Sequence, residues 1–237
     1  QSDVDIAQFE YIAGDPILDY FPEVNKIILL KDHKLKLNYK KEQLSIEGEG
    51  KIQLEEKFNK IQYFISKNND NLNITSDLII EKINLKKQEF LKNFFPLMND
   101  QIKLKNHKLN INYKNKNLLL SGNGKIKIDK EFDNINYFIS KKNDKFNFDI
   151  SLDLIKTNFK IEKLNFQKNN KAISKFKIKG EFENNKFLNL NNFIFLENDN
   201  KIKISNLLLD KDYLIVQIDK ADFNYKDIEN KKNKFSI

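Results

Sequence analysis

Apolar residues recur at every second position through long stretches of this chain. Leu35, Leu37 and Tyr39 alternate with Lys36 and Asn38. Leu44, Ile46, Gly48, Gly50, Ile52 and Leu54 alternate with Ser45, Glu47, Glu49, Lys51 and Gln53. Ile61, Tyr63 and Ile65 follow, then Leu72, Ile74, Ser76 and Leu78. Successive side chains of a strand point to opposite faces, so this pattern predicts strands with one apolar and one wet face. From residue 158 onward it resumes in Phe159, Ile161, Leu164 and Phe166, then Phe176, Ile178, Gly180 and Phe182, and finally around Phe193, Ile204 and Ile218. Asn and Asp cluster between the runs, at Asn68-Asn69-Asp70-Asn71, Asn115-Lys116-Asn117, Asn184-Asn185 and Asn198-Asp199-Asn200. Both tolerate left-handed backbone, so they are read as hairpin turns that replace the scarce Gly. Turn signals fall roughly every ten to thirteen residues, which predicts a long antiparallel meander of about ten strands. Helix signals are few. Pro16–Phe21 and Gln88–Met98 each predict a short helix or turn, one connector used twice and ended by Pro.

Shifting the chain by 74 positions aligns it with itself. Lys31-Asp32-His33-Lys34-Leu35 falls on Lys105-Asn106-His107-Lys108-Leu109. Tyr20-Phe21-Pro22 falls on Phe94-Phe95-Pro96, and Gly48-Glu49-Gly50-Lys51-Ile52 on Gly122-Asn123-Gly124-Lys125-Ile126. Tyr63-Phe64-Ile65-Ser66-Lys67 falls on Tyr137-Phe138-Ile139-Ser140-Lys141. Of the 63 pairs between 18–80 and 92–154, 28 are identical, where biased composition alone gives roughly a tenth. The expected organisation is an N-terminal strand plus a first repeat over 1–90, a second repeat over 91–165 and a degenerate continuation over 166–237.

A meander with one apolar face must bury that face against a second sheet, within a barrel, or around an apolar ligand. Repetition without an obvious cap favours an open-ended stack. The expected fold class is therefore mostly β, an antiparallel meander curled into an open groove or half-pipe. Gly48, Gly50, Gly122 and Gly124 fall on the apolar register, where a missing side chain leaves a gap or a bend. They mark either a kink with close packing or the curvature that wraps the sheet into a trough.

The alternating strand, Gly-x-Gly, Ile-x-Ile, the Tyr-Phe-Ile-Ser-Lys phrase and a further alternating strand together resemble the repeating β-groove of bacterial AsmA-like proteins, the long YhdP and TamB type among them. The resemblance implies a periplasmic envelope protein, anchored to the inner membrane by a segment absent from this chain. It implies a groove that carries phospholipid acyl chains between membranes, with flanking regions outside this chain meeting the membranes. Residues expected to line the groove are Leu35, Leu37, Leu44, Ile46, Ile52, Ile61, Ile65, Leu72 and Ile74. Their second-copy partners are Leu109, Ile111, Leu118, Leu120, Ile126, Ile135, Ile139, Phe146 and Phe148. Such a conduit needs no catalytic residue and no cofactor, since each methylene removed from water contributes about 0.8 kcal/mol.

Composition narrows the alternatives. The chain has 237 residues and no Cys, so disulfides, thiol catalysis and thiolate metal sites are excluded. All 42 basic residues are Lys, against 34 acidic ones, for a net charge of +8. Specific readers of nucleic acid lean on Arg for bidentate contacts, so its absence argues against a nucleic-acid partner. The lysines are expected on a solvated face. His33 and His107, flanked by Lys, are expected to be exposed and not to bind metal. The carboxylates Glu47, Glu49, Glu55 and Glu56 become Ser121, Asn123, Asp129 and Lys130 in the second copy, so no acid/base pair recurs. The other expectation for such a chain is a structural or adhesive β-repeat with a dry core and no ligand.

Overall fold

The computed structural model describes residues 1–12, 26–55, 57–69, 71–86, 89–183, 186–212 and 214–237. The expectations for Pro16–Phe21, Tyr20-Phe21-Pro22, Asn184-Asn185, Glu56 and Asp70 lie outside them. The chain is mostly β and forms one antiparallel sheet of 14 strands that is not closed into a barrel. In order these are β1 (Ser2–Ile12), β2 (Ile27–Lys40), β3 (Gln43–Gln53), β4 (Phe58–Asn68), β5 (Asn71–Lys86), β6 (Gln101–Lys114), β7 (Asn117–Lys127), β8 (Asp133–Lys142) and β9 (Lys145–Leu154). A two-stranded hairpin of β10 (Lys160–Ile161) and β11 (Phe166–Gln167) stands apart from the sheet. The sheet continues with β12 (Ser174–Glu183), β13 (Phe187–Glu197), β14 (Asn200–Asp210), β15 (Ile215–Lys226) and β16 (Lys232–Ser236). Within this sheet each strand lies beside the one before it, β12 following β9, as a meander requires, and among the described residues β1 and β16 are the two edges. There are more strands than the expected ten or so.

The turns follow the expected chemistry. Twelve described residues have positive φ; eight are Asn and none is Gly. Left-handed backbone at Lys41 and Glu42 closes the β2–β3 hairpin, and Asn115 and Lys116 close the β6–β7 hairpin, the pairwise positive φ that a two-residue hairpin demands. β6 and β7 occupy the positions 74 residues beyond β2 and β3. The Gln88–Met98 connector contains a short 3₁₀ turn at Glu89–Asn93, after which Phe95 is buried.

Two compact units can be distinguished, 1–85 with 103–124 and 86–102 with 125–237. In the first, burial is deepest where β2 and β4 begin and β3 and β5 end, at Ile28, Leu54, Asn59, Ile80 and Ile83. It fades toward the Lys41–Glu42 turn, where Tyr39 is 71% exposed. The second shows the same gradient. Leu152, Phe176, Phe195, Ile202 and Phe223 are buried at one end of their strands, whereas Phe146, Phe182, Leu188 and Leu209 at the other are half-buried.

Candidate functional site

The expected lining residues of the first copy share one sheet face. Leu37, Ile46, Ile65 and Ile74 lie directly opposite one another across β2, β3, β4 and β5. The next rung is Leu35, Gly48, Tyr63 and Ser76, and then Gly50 faces Ile61, which faces Leu78. Ile52 faces Leu30 and Asn59, while Leu44 and Leu72 are parted by Lys67. All nine are half-buried except Leu72, which is exposed. In the second set, Leu109, Leu118, Ile126 and Ile135 are buried, and Ile111, Leu120, Ile139, Phe146 and Phe148 are half-buried. Ile139 faces Phe148, which faces Gly180. Phe146 stacks on Phe182 with ring centroids 4.6 Å apart.

The glycines act through close approach. A Cβ on Gly48 would stand 2.5 Å from the Tyr63 ring, and one on Gly50 would stand 2.4 Å from the His33 ring. At Gly124 it would meet His107 Nδ1 at 2.6 Å. Gly122 is half-buried. The expectation of exposed histidines is therefore corrected: His33 is 2% exposed and His107 is fully buried. His33 lies two positions before Leu35 and turns inward with it, over Gly50, despite its lysine neighbours. Asp32 and Asn106 take left-handed backbone, and in β2 the ladder shifts between Lys31 and Lys34, a bulge that puts this register out of step with Ile28. Its Nε2 donates to the Lys51 carbonyl at 2.9 Å, which leaves Nδ1 to accept from the Tyr63 hydroxyl at 3.1 Å. Burial lowers the pKa of His107 and pushes the Tyr137 hydroxyl up to about 12.

Carboxylates serve as clamps. Glu55 accepts from the Asn84 amide at 2.7 Å and from its side chain at 3.0 Å. Asp129, 74 positions on, accepts from the amide and side chain of Asn158 at 3.2 and 2.7 Å. Asn59 accepts from the Glu81 amide at 2.9 Å, and Asp133 from the Ile155 amide at 2.6 Å and from the Thr157 hydroxyl. Sequence reading missed these pairs because it sought recurring acids. The signal was a recurring polar residue in an apolar register, with Asn84 and Asn158 at the same spacing. Burial raises the pKa of Asp133, opposed by its Thr157 and Ile155 hydrogen bonds and by Lys168.

In the second unit a strap of residues 155–173 covers the deep end of the apolar face. Phe159, fully buried, stacks on Phe195 at 4.9 Å and meets Phe176 at 5.3 Å and Phe95 at 5.6 Å. Phe166 meets Phe195 at 5.1 Å. Lys168 is buried, and its ammonium donates to the carbonyls of Ile155, Asn169 and Ala172 at 3.0, 3.0 and 2.8 Å. Glu197 accepts from Ser174 at 2.7 Å and from the Asn169 amide. Aromatic packing fills this end of the face, and polar clamps tie the strap down.

Among the described residues no three His, Asp or Glu side chains gather as metal ligands, and no helix is long and apolar enough to cross a membrane. What the shallow end of the face offers is hydrocarbon and aromatic surface, suited to dispersion contact with an apolar partner. Comparison with protein-family models, with curated proteins and with solved structures finds no match.

Proposed function

We propose that this chain is a non-enzymatic lipid-binding segment of a bacterial envelope protein, and that phospholipid acyl chains lie in a groove formed by the shallow ends of its apolar face. The observation that carries this reading is the half-buried rung of Leu37, Ile46, Ile65 and Ile74, four aliphatic side chains in line across adjacent strands. Apolar surface left partly in water gains about 25 cal/mol per Å² when hydrocarbon covers it. In this reading headgroups stay in water along the seam, the protein works in the periplasm, and flanking segments supply the inner-membrane anchor. The Phe159–Phe166 strap favours a second reading, a structural β-repeat whose core is filled by its own side chains. Mass spectrometry of an organic extract, from protein purified without detergent, separates the two. Lipid binding requires phospholipid in the wild-type extract and its loss in Ile46→Asp, with Lys36→Asp on the opposite face as the control. An empty wild-type extract, or full lipid recovery from Ile46→Asp, sinks the lipid reading.

A further inference from the structure

The outward face of the second unit concentrates lysine on interior strands. On β12, Lys175, Lys177 and Lys179 are exposed and alternate with the inward Phe176, Ile178 and Gly180. On β14, Lys201 and Lys203 alternate with Ile202 and Ile204. Between these columns runs β13, whose Leu196 is exposed and whose Ile194 is half-buried. Lys175, Leu196 and Lys201 form one rung, Lys177, Ile194 and Lys203 the next, and Lys179, Asn192 and Ser205 the third. By strand geometry successive lysines of a column are about 7 Å apart, and the two columns about 10 Å apart. Two carboxylates answer to four of these lysines. Asp149 faces Lys179 across the ladder but pairs with Lys177 at 3.4 Å, and Asp222 faces Lys203 but pairs with Lys201. Asp153, opposite Lys175, accepts from Asn134 instead. The outer lysines of the first unit are placed differently, since Lys34 faces Glu49 and Lys36 faces Glu47.

We propose that the outward face of β12, β13 and β14 rests on an anionic membrane surface. Lysines this close repel one another, and a sheet of negative headgroups relieves them. The aliphatic strip between the columns matches the second property of such a surface. Leu196 and Ile194 can meet the hydrocarbon boundary while the long lysine stems on either side hold their ammonium groups at headgroup level. A nucleic acid fits the face less well. The chain has no Arg for bidentate phosphate contacts, and no aromatic ring stands in these three rungs for a base to stack on.

The test is co-sedimentation of the full 237-residue chain with vesicles of phosphatidylcholine alone, and with vesicles in which about a third is phosphatidylglycerol. Binding should need the anionic lipid and fall as salt screens it. Lys175→Gln, Lys179→Gln and Lys203→Gln together should weaken it on the order of a hundredfold, about fivefold for each lysine. Lys34→Gln, Lys36→Gln and Lys60→Gln remove the same charge from the outer face of the first unit and should weaken it by less than about tenfold. Leu196→Ser should weaken it about threefold at unchanged charge. The substituted side chains are exposed or half-buried, and unchanged circular dichroism will show that the sheet is intact. The groove is tested separately by the Ile46→Asp extraction, so either reading can fail alone. Equal binding to the two vesicle types, binding to neither, or equal losses in the two triple variants overturns the proposal. So does a single-stranded oligonucleotide that binds as tightly as the anionic vesicles and is lost with the same three lysines.

Discussion

Replacing Gly50 with Ala, and Gly124 with Ala, should have different consequences although the two glycines are 74 positions apart and each lies against a buried His. At Gly50 the three atoms nearest the new methyl all belong to the His33 ring, at 2.4, 2.5 and 2.7 Å. No methyl fits there, so the ring must swing away. Overpacking of this kind costs about 1–3 kcal/mol. The displaced ring also gives up its bonds to Lys51 and Tyr63, each about 1 kcal/mol, for a total of about 3–5 kcal/mol. His33→Ala removes the obstacle, so the double variant should be little worse than His33→Ala alone, and the coupling should recover most of that cost, about 3–5 kcal/mol. At Gly124 two of the three nearest atoms are main chain, His107 Cα at 2.7 Å and the Asn106 carbonyl oxygen at 2.9 Å. Trimming the His107 side chain leaves both in place, so Gly124→Ala and His107→Ala should add to within about 0.5 kcal/mol. Urea unfolding followed by circular dichroism, with midpoints compared at constant slope, measures both cycles. No coupling at Gly50 would refute the claim that this glycine admits a histidine ring, and coupling at Gly124 as large as at Gly50 would refute the main-chain account of Gly124.

Phe159→Ala empties the centre of the aromatic cluster and should cost about 3–5 kcal/mol, whereas Phe146→Ala at the half-buried end should cost about 1 kcal/mol; denaturation midpoints decide, and equal costs would argue against the burial gradient. Burial raises the pKa of Asp133, so its contribution is fully present below the unfolded pKa and is lost as pH rises through the folded one. Asp133→Asn should therefore flatten the pH dependence of stability in that window while keeping the Ile155 bond, as Asn59 keeps the equivalent bond to Glu81. The Tyr137 hydroxyl, pushed up to about 12 by burial, should ionise last in an ultraviolet titration; its contribution holds below the ordinary tyrosine range and is lost as pH climbs toward 12. Hydrogen exchange should be slower for the Ile80 and Leu152 amides than for those beside the Lys41–Glu42 turn, and the reverse order would contradict the packing described.

The strands and their inward faces were legible because burial of one face forces a period of two, and that rule holds from β2 to β15 wherever the ladder is regular. The turns were legible because left-handed backbone needs Asn or Asp when Gly is scarce, although Lys41, Glu42 and Lys116 adopt it as well. The histidines were misread because lysines flank both. His33 lies two positions before Leu35 and so shares the inward face of Leu35 and Leu37, while the bulge at Asp32 only puts that register out of step with Ile28. The strap was illegible for a different reason. Phe159 and Phe166 alternate like strand residues, and β10 and β11 are indeed strands, but of two residues each. Nothing in a period says that such a hairpin leaves the sheet to cover it.

The polar clamps and the apolar gradient follow from one constraint. Where a connector crosses the deep end of the face, its amides lose water and must find acceptors inside. Glu55 and Asn59 supply them to β5 in the first unit, and Asp129 and Asp133 supply them to residues 155 and 158 in the second. At the shallow end the hairpins close in tight turns such as Lys41–Glu42 and need no such help. An end that is sealed by buried hydrogen bonds cannot open without exposing unpaired carboxylates and amides, whereas the end closed by tight hairpins can exchange its partners at little cost. In the second unit the strap behind Phe159 therefore closes the deep end of the apolar face, and the Phe146–Phe182 pair lies at the end that remains half-buried.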